Sequence, residues 1–532
     1  MEKILLTDNA NQAIAKINAN FSESGGGGGS KIAEGTIIGG GSDFVFAYLD
    51  VDPGETFRIL FPQGDWQTSA SASYAKLAIG YRDIEENKTP LMLIYSDQDV
   101  ADAYDVVVSS GLAGAYKDIY IGVRASNGEE IPYVVYKADG NEVHDYFLEE
   151  VADTQKKLKE RIVAPSCLSF VVVTDIHYRS NDITTGYGAG KALIPYVAVE
   201  TGANMKKISE GTSMSALVCL GDTIDGASSA FLSKCDCLDM MEIFSRTRIP
   251  LMNILGNHDD NRYGSPHLTL PEMYSGLLHN NSDSLVDGSM NGANWYIDFA
   301  SKKIRFIGLC AINSSGGYAY TTSTQSWLSS CLQSLPEDYH AVIFTHVPLF
   351  STQLWGGSTP PSGSGTIADT IQANSAKVLA VFQGHTHLDN IYVSPFFAIA
   401  VSCNSCCSLA MSSAAPEGAW FPIRTPGSYS EDLWDTVVID KENGLISCIR
   451  FGAGIDRYIH YTPVEVAAGG TTTLTPSVLT ASAWHTRDSE SSSISINNGV
   501  VSVSAGATSG SRLTARVDDA DGNMEFWTIL VS

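Results

Sequence analysis

The sequence predicts a multidomain chain. Its centre is an α/β sandwich of two mixed sheets flanked by helices, with a β-sandwich before it and a smaller β domain after it. Three observations carry this. Five short apolar runs between Leu168 and Gln383 each stop at a polar, metal-competent motif. Two hairpin patterns add antiparallel strands to those runs. The flanks alternate β-branched and aromatic residues with Gly and Asp turns, the pattern of strands rather than helices.

Residues 1–32 are expected to be an attachment segment and linker. Ile14, Ile17 and Phe21 share one face of a short amphipathic helix, and Gly25 to Ser30 reads as a flexible tether. A helix that cannot bury its own face, on a loose tether, is suited to docking on a larger body. The start resembles the attachment segments of phage tail and fibre proteins. Residues 33–140 contain runs such as Phe44 to Leu49 and Ile119 to Arg124, read as a β-sandwich of jelly-roll type. Residues 141–165 form a charged helical connector. Leu148, Val151, Leu158 and Ile162 give a partial heptad, compatible with a homotrimeric coiled coil or with a single helix packed on the next domain.

The central domain is placed at 166–460. Leu168 to Thr174, Ala216 to Leu220, Pro250 to Leu255, Ala341 to Thr345 and Val378 to Gln383 are continuous apolar runs, as expected of parallel strands buried on both faces. Trp295 to Phe299 pairs with Ile304 to Leu309, and Trp434 to Ile439 with Ile446 to Phe451, through turns at Ser301-Lys302 and Asn443-Gly444. Residues 461–532 are rich in Ser, Thr, Gly and Val. They resemble a bacterial immunoglobulin-like domain of group 2, which implies an Ig-like β-sandwich.

The composition bounds the function. Against 33 basic residues stand 59 acidic ones, a net charge of −26. That argues against holding duplex nucleic acid through its phosphates. No run of about 18 apolar residues occurs, so no membrane-spanning helix is expected. Nor does the N-terminus read as a signal peptide. The chain is expected either to stay in the cytoplasm or to leave it by another route, such as lysis. Ten cysteines imply no disulfide framework. Cys403, Cys406 and Cys407 are read as buried thiols, because no second ligand pair for zinc lies nearby.

The chemistry lies at the strand ends. In order come Asp175-Ile176-His177, Gly221-Asp222-Thr223-Ile224-Asp225, Gly256-Asn257-His258-Asp259, His346 and Gly384-His385-Thr386-His387. Ligands collect beyond the carboxyl ends of strands in α/β sheets. In identity, order and spacing the five motifs resemble those of the calcineurin-like metallophosphoesterases, over roughly Leu168 to Tyr458.

The resemblance implies two divalent ions. Asp222 would bridge them. Asp175, His177 and His387 would complete the first metal's ligands, and Asn257, His346 and His385 the second's. Such a His, carboxylate and amide mixture suits Mn, Fe or Zn better than Ca or Mg. The nucleophile would be a hydroxide shared by the ions. His258 would protonate the leaving oxygen or stabilise the transition state. Asp259 is expected to hold the His258 tautomer, and Asp225 to orient a histidine or cap the following helix. Tyr178, Arg179, Asn261, Arg262, His267 and His279 are candidates for substrate contact. The Gly/Ser/Pro-rich stretch from Trp355 to Gly365 is read either as a lip over the site or as a plain surface loop.

Three functions compete. The first is a metal-dependent phosphoric ester hydrolase, monoester or diester, borne on a phage tail or similar appendage. Its partners would be other virion proteins and a cell-surface glycan or phosphorylated polymer. The second is a non-catalytic adhesin that keeps the fold, against which the complete ligand set speaks. The third is a cytoplasmic phosphatase or nuclease, against which the modular flanks speak.

Overall fold

The computed structural model describes residues 31–41, 43–51, 56–61, 66, 75–95, 103–107, 116–138, 145–179, 195–278, 293–311, 319–354, 359–393, 399–406, 415–424 and 428–532. Residues 1–30 of the expected attachment segment, His279, Cys407 and the first part of the 355–365 stretch lie outside these residues, and residues 31 and 32 belong to the first strand rather than to a linker.

Eight strands form the N-terminal part: β1 (Lys31–Ile38), β2 (Val45–Leu49), β3 (Thr56–Leu60), β4 (Ala75–Asp83), β5 (Lys88–Tyr95), β6 (Ala103–Val107), β7 (Tyr116–Val123) and β8 (Glu130–Ala138). They pair antiparallel in two four-stranded sheets, ordered β1-β8-β3-β6 and β2-β7-β4-β5. Inward residues of both sheets, among them Phe57, Ile59, Leu77 and Ile121, share one apolar cluster.

Helix α1 (Asp145–Arg161) follows. Of its partial heptad, Val151 and Leu158 are buried with Phe147 in the core beneath strands of the central domain, whereas Leu148 is 47% exposed. The connector therefore packs on its own chain. Its apolar face meets Trp434 and Phe451 rather than being presented outward.

The central part is two sheets face to face. One strand set comprises β9 (Leu168–Val173), β10 (Leu217–Cys219) and β11 (Leu251–Asn253), joined by α2 (Pro195–Gly211) and α3 (Ala230–Arg246). The other comprises β12 (Trp295–Phe299), β13 (Ile304–Leu309), β14 (His340–Thr345), β15 (Val378–Gln383), β16 (Asn390–Tyr392) and β17 (Ala400–Ser402), with α4 (Thr322–Gln333) and α5 (Ser364–Ala373). Parallel pairing joins β9 to β10, β10 to β11 and β14 to β15, as the continuous apolar runs require. The expected hairpins are β12–β13 and β18 (Leu433–Asp440) with β19 (Leu445–Gly452).

Because successive strand side chains face opposite ways, β9 serves two cores. Leu168, Phe170 and Val172 pack between the sheets against Phe306, Phe344 and Phe382. Val171 and Val173 pack on the helix side with Ile208 and Phe244. A run that alternated polar residues could not do this.

The first sheet does not stop at the central part. Strand β20 (Arg457–Val466) pairs with β19, and on its other edge runs parallel to β26 (Met524–Val531). With β22 (Ala483–Thr486) and β25 (Arg512–Asp518) the sheet reaches nine strands, ordered β11-β10-β9-β18-β19-β20-β26-β25-β22. The boundary expected at 460/461 falls inside β20. Strands β21 (Thr471–Thr473), β23 (Ile494–Asn497) and β24 (Val500–Val503) make a separate three-stranded sheet in this β-rich C-terminal region.

The nine described cysteines, Cys403 and Cys406 among them, are buried and unbridged. No described helix is long and apolar enough to cross a membrane. Ser362 bridges to Ala319 and Ser364 opens α5, so the described end of the Gly/Ser/Pro-rich stretch is tied to Ala319 and to α5.

Candidate metal centre

Each motif follows directly on a strand. Asp175 and His177 follow β9, Asp222 follows β10, Asn257 and His258 follow β11, His346 follows β14, and His385 and His387 follow β15. Three of these strands belong to one sheet and two to the other, so the site spans the seam between the sheets.

The turns that present the side chains are unusual. Asp175 (φ 50°), His177 (φ 50°), Asp222 (φ 50°), His385 (φ 67°) and His387 (φ 52°) all occupy left-handed backbone. That region costs an L-residue about 1–2 kcal/mol. Such strain clusters where surrounding structure imposes it for function. Gly221 (φ +100°) and Gly256 let two of the loops cross: a Cβ on Gly221 would lie 2.5 Å from the Gly256 nitrogen. A Cβ on Gly256 would meet Asp222.

Three groups of ligand-competent atoms result among the described residues, one of them His177, Asp225 and His258; the other two hold the expected ligands. Of these two, Asp175, His177 and His387 form the first, and Asp222, His346 and His385 the second, with the ligand atoms within each group less than 4.8 Å apart. His387 Nε2 lies 3.2 Å from Asp175 Oδ1, and His346 Nε2 lies 3.2 Å from Asp222 Oδ2. Asn257 Oδ1 joins the second group 3.2 Å from His346 Nε2. Asp222 Oδ2 also faces His177 Nε2 of the first group at 3.8 Å, so its carboxylate stands between the two.

Packing around the groups fixes the side chains. Asp175 Oδ2 accepts from Thr174 Oγ1 at 2.6 Å and from the His385 amide at 2.8 Å. Asp222 Oδ1 accepts from the His258 amide at 2.7 Å. His346 Nδ1 lies 2.9 Å from the Leu220 carbonyl, which makes Nδ1 the donor and turns Nε2 toward Asp222.

The electrostatics are those of a preassembled cation site. Burial disfavours the Asp222 charge, but His346 and His258 outweigh it and hold the carboxyl well below its usual range. Asp175 is likewise depressed: burial opposes its charge, and His387 and His346 overcome that. Burial and the neighbouring His346 bring His385 down to about 3, and burial with His258 lowers His177. Neutral His177 and His385 beside ionised carboxylates are the protonation states that metal ligation needs. At His346, by contrast, burial opposes the charge but Asp222 outweighs it and raises the imidazole to about 9, so a bound cation would have to displace that proton. His177 Nε2 and His387 Nε2 approach to 3.2 Å with Asp175 Oδ1 beside them. A cation shared by these three atoms fits that donor set.

His258 enters the same space. Its ring is 4.3 Å from that of His177, and its Nε2 is 3.9 Å from Asp222 Oδ2. The tautomer, however, is not held by Asp259, which corrects the expectation for that residue. His258 Nδ1 lies 2.7 Å from the backbone carbonyl of Asp225. The Asp259 carboxylate instead accepts four buried amides: Gly256 at 2.7 Å, Asp222 at 3.1 Å, Thr223 at 2.8 Å and Ile224 at 3.2 Å. Asp259 thus faces the backbone of the Asp222 loop rather than the His258 ring. Burial and the Asp222 charge push its carboxyl up to about 7.

Asp225 does orient His258, but through its carbonyl. Its carboxylate lies 3.3 Å from Arg179 Nη1 and 3.9 Å from His177 Nδ1. The following helix, α3, is capped by Ser229 rather than Asp225.

The proposed substrate contacts divide. Tyr178 is fully buried and donates to Asp239. Arg179 is buried and donates to Asp225 and to the Ala227 carbonyl. Asn261 is buried, with its amide bonded to Ser228 O and Pro266 O and its oxygen to Ser228 N and Ser233 Oγ. These three build the walls. Arg262 and His267 are exposed. A residue that the sequence reading passed over is Tyr263, whose ring lies 4.7 Å from that of His258 at 46°. Its position five residues after His258 gave the only signal, and aromatic loop residues are too common for that to suffice.

Residues 168–389 match the family model described as calcineurin-like phosphoesterase. Several solved structures are similar at low identity. One is a dimetal phosphatase from Danio rerio: 14% identical, covering 56% of this chain and 99% of that one, with a TM-score of 0.41. Another is GAP50, the anchor in the inner membrane complex of Plasmodium: 12% identical, covering 53% and 83%, TM-score 0.35. A third is the phosphopantetheinyl hydrolase of Mycobacterium tuberculosis: 12% identical, covering 46% and 91%, TM-score 0.24. No curated protein matches the chain.

Proposed function

We propose that the chain hydrolyses phosphoric esters at a centre of two divalent ions, a reading supported by the match of residues 168–389 to the calcineurin-like phosphoesterase family model. Asp175, His177, Asp222 and His387 would hold one ion. Asp222, Asn257, His346 and His385 would hold the other. The observation that carries this is the carboxylate of Asp222, which faces histidines of both groups at 3.2 and 3.8 Å. Imidazole, carboxylate and amide donors together favour Mn, Fe or Zn. When bound, such ions neutralise phosphoryl oxygens and lower the pKa of attacking water.

The chain's own groups supply the rest. His258 donates from Nδ1 to the Asp225 carbonyl, so its Nε2 is the atom turned toward the reacting space. A proton at Nε2 can pass to the leaving oxygen of the ester. Asp259 keeps the Asp222 loop in shape from beneath, and Asp225 stands between Arg179 and His177. The reading extends to an enzyme on a phage tail or similar appendage, acting on a phosphate-bearing surface polymer. What supports that extension is the resemblance of residues 1–23 and 461–532 to appendage modules.

The test is Mn²⁺-dependent hydrolysis of a chromogenic phosphate monoester and diester by the parent, Asp222→Ala and Asn257→Ala. Turnover by the parent and its loss in both variants is the expected result, and the preferred ester assigns the substrate class. Either variant hydrolysing esters at the parent rate would remove this site from the reaction.

A further inference from the structure

Tyr263 is an exposed aromatic ring on a rigid mount. It is 53% exposed, whereas His258 beneath it is 3% exposed. The mount is Asn261, fully buried in left-handed backbone (φ 59°), with its side-chain amide and oxygen bonded on both sides of the turn. The Tyr263 amide donates to the Gly226 carbonyl at 2.8 Å, and the Gly264 amide to the Asn261 carbonyl at 3.0 Å. At Gly264 a Cβ would meet the Ser228 carbonyl at 2.0 Å, so the turn lies directly on the 226–228 loop. One part of the ring lies against His258, 4.7 Å between centroids, and the remainder is exposed.

Exposing a large ring forgoes its burial, and fixing it removes its freedom. A folded chain gains from this combination when the ring meets a ligand, because the ordering cost of the contact has already been met. The residue that Tyr263 touches is the one placed to protonate the leaving oxygen. The group attached to that oxygen must therefore pass next to Tyr263.

We propose that Tyr263 is a specificity-determining residue for the leaving group, selecting phosphate esters whose alcohol presents a flat ring face. This rests on the hydrolase reading given above. The ring stacks on the leaving group's ring while His258 reaches the ester oxygen. Acyclic leaving groups have no face to stack and gain nothing from it.

The test compares phenyl and ethyl esters of phosphate, in whichever series, mono or di, the parent hydrolyses with Mn²⁺. Parent, Tyr263→Ala and Tyr263→Phe are measured. Stacking of this kind is worth roughly tenfold or more in affinity. Tyr263→Ala should therefore lower kcat/KM for the phenyl ester about tenfold, mainly through KM, and change the ethyl ester less than about threefold. Tyr263→Phe should keep both. Calorimetry with the non-hydrolysable phenylphosphonate and methylphosphonate supplies a second readout. The parent's preference for the phenyl compound should shrink about tenfold in Tyr263→Ala.

An equal loss on both esters, carried by kcat, would overturn the proposal and reduce Tyr263 to a support for His258. An undiminished phenylphosphonate preference in Tyr263→Ala would overturn it too. A parent that hydrolyses neither ester overturns the hydrolase reading itself, and this proposal with it.

Discussion

The left-handed backbone at Asp175, His177, Asp222, His385 and His387 yields a prediction in which the sign of the effect is diagnostic. Consider His177 and His387, each replaced once by Ala and once by Gly. Both replacements at one position remove the same imidazole, so its lost contacts cancel in the comparison. What remains is the backbone. A Cβ in left-handed backbone costs about 1–2 kcal/mol. Against that, glycine's greater freedom in the unfolded chain costs about 0.4–1 kcal/mol. The glycine variant should therefore be the more stable by roughly 0.5–1 kcal/mol. For a domain of this size that is about 2 °C in Tm. At Lys207, an exposed position inside α2, the order should reverse by about 1 kcal/mol, because helical backbone favours Ala. The assay is thermal and urea unfolding in chelator, with all six variants side by side. Alanine equal to or more stable than glycine at both His177 and His387 would refute the claim that these turns are strained. All four histidine variants should lack esterase activity, so stability and function separate at the same residue.

Two further outcomes follow from the residues around the centre. Asp259→Ala strips four buried amides of their acceptor and should cost about 4 kcal/mol or more in urea unfolding. Asp259→Asn keeps one acceptor oxygen and should cost roughly half as much. An alanine variant within about 0.5 kcal/mol of the parent would show that the carboxylate does not hold the Asp222 loop. Glu150 of α1 accepts from the Gly452 amide at 3.0 Å, and burial pushes its carboxyl up to about 7. The unfolded chain releases that proton at lower pH than the folded one. The parent should therefore lose stability as pH rises from about 4.5 to 7, by up to about 3 kcal/mol, and level off above. Glu150→Gln has no such proton, so its Tm advantage should widen from pH 5 to pH 8. A gap that stays constant would mean the carboxyl is not desolvated by packing of α1.

The sequence made the central strands and the metal-competent residues legible because both are local signals. An apolar run that stops at Asp-x-His or Gly-Asn-His marks a strand end and a ligand in the same few residues. Roles that depend on where a side chain turns were not legible. Asp259 looked like a partner for His258 because it is adjacent, yet its carboxylate serves backbone amides of residues 222 to 224 and 256. Tyr263 became visible only when the turn built on Asn261 brought it over His258. The parallel pairing of β20 with β26 joins residues more than sixty positions apart, and no local periodicity announces it.

That last pairing bears on the site. Arg457, at the start of β20, binds Asp435 of β18 at 2.7 and 2.9 Å. Arg450 of β19 binds Asp435 at 2.9 Å and Asp389 at 2.6 Å. All four are buried, and Asp389 lies two residues beyond His387. Buried ion pairs contribute little net stability compared with apolar packing, but leaving one partner uncompensated costs several kcal/mol, on the order of 3–5. Such a network therefore enforces one arrangement rather than adding strength. Here the arrangement it enforces is the position of the loop carrying His385 and His387, relative to strands that continue into the C-terminal β region. The C-terminal strands are thereby coupled to the geometry of the metal-competent loop, through a sheet that they complete and a charge network at its edge.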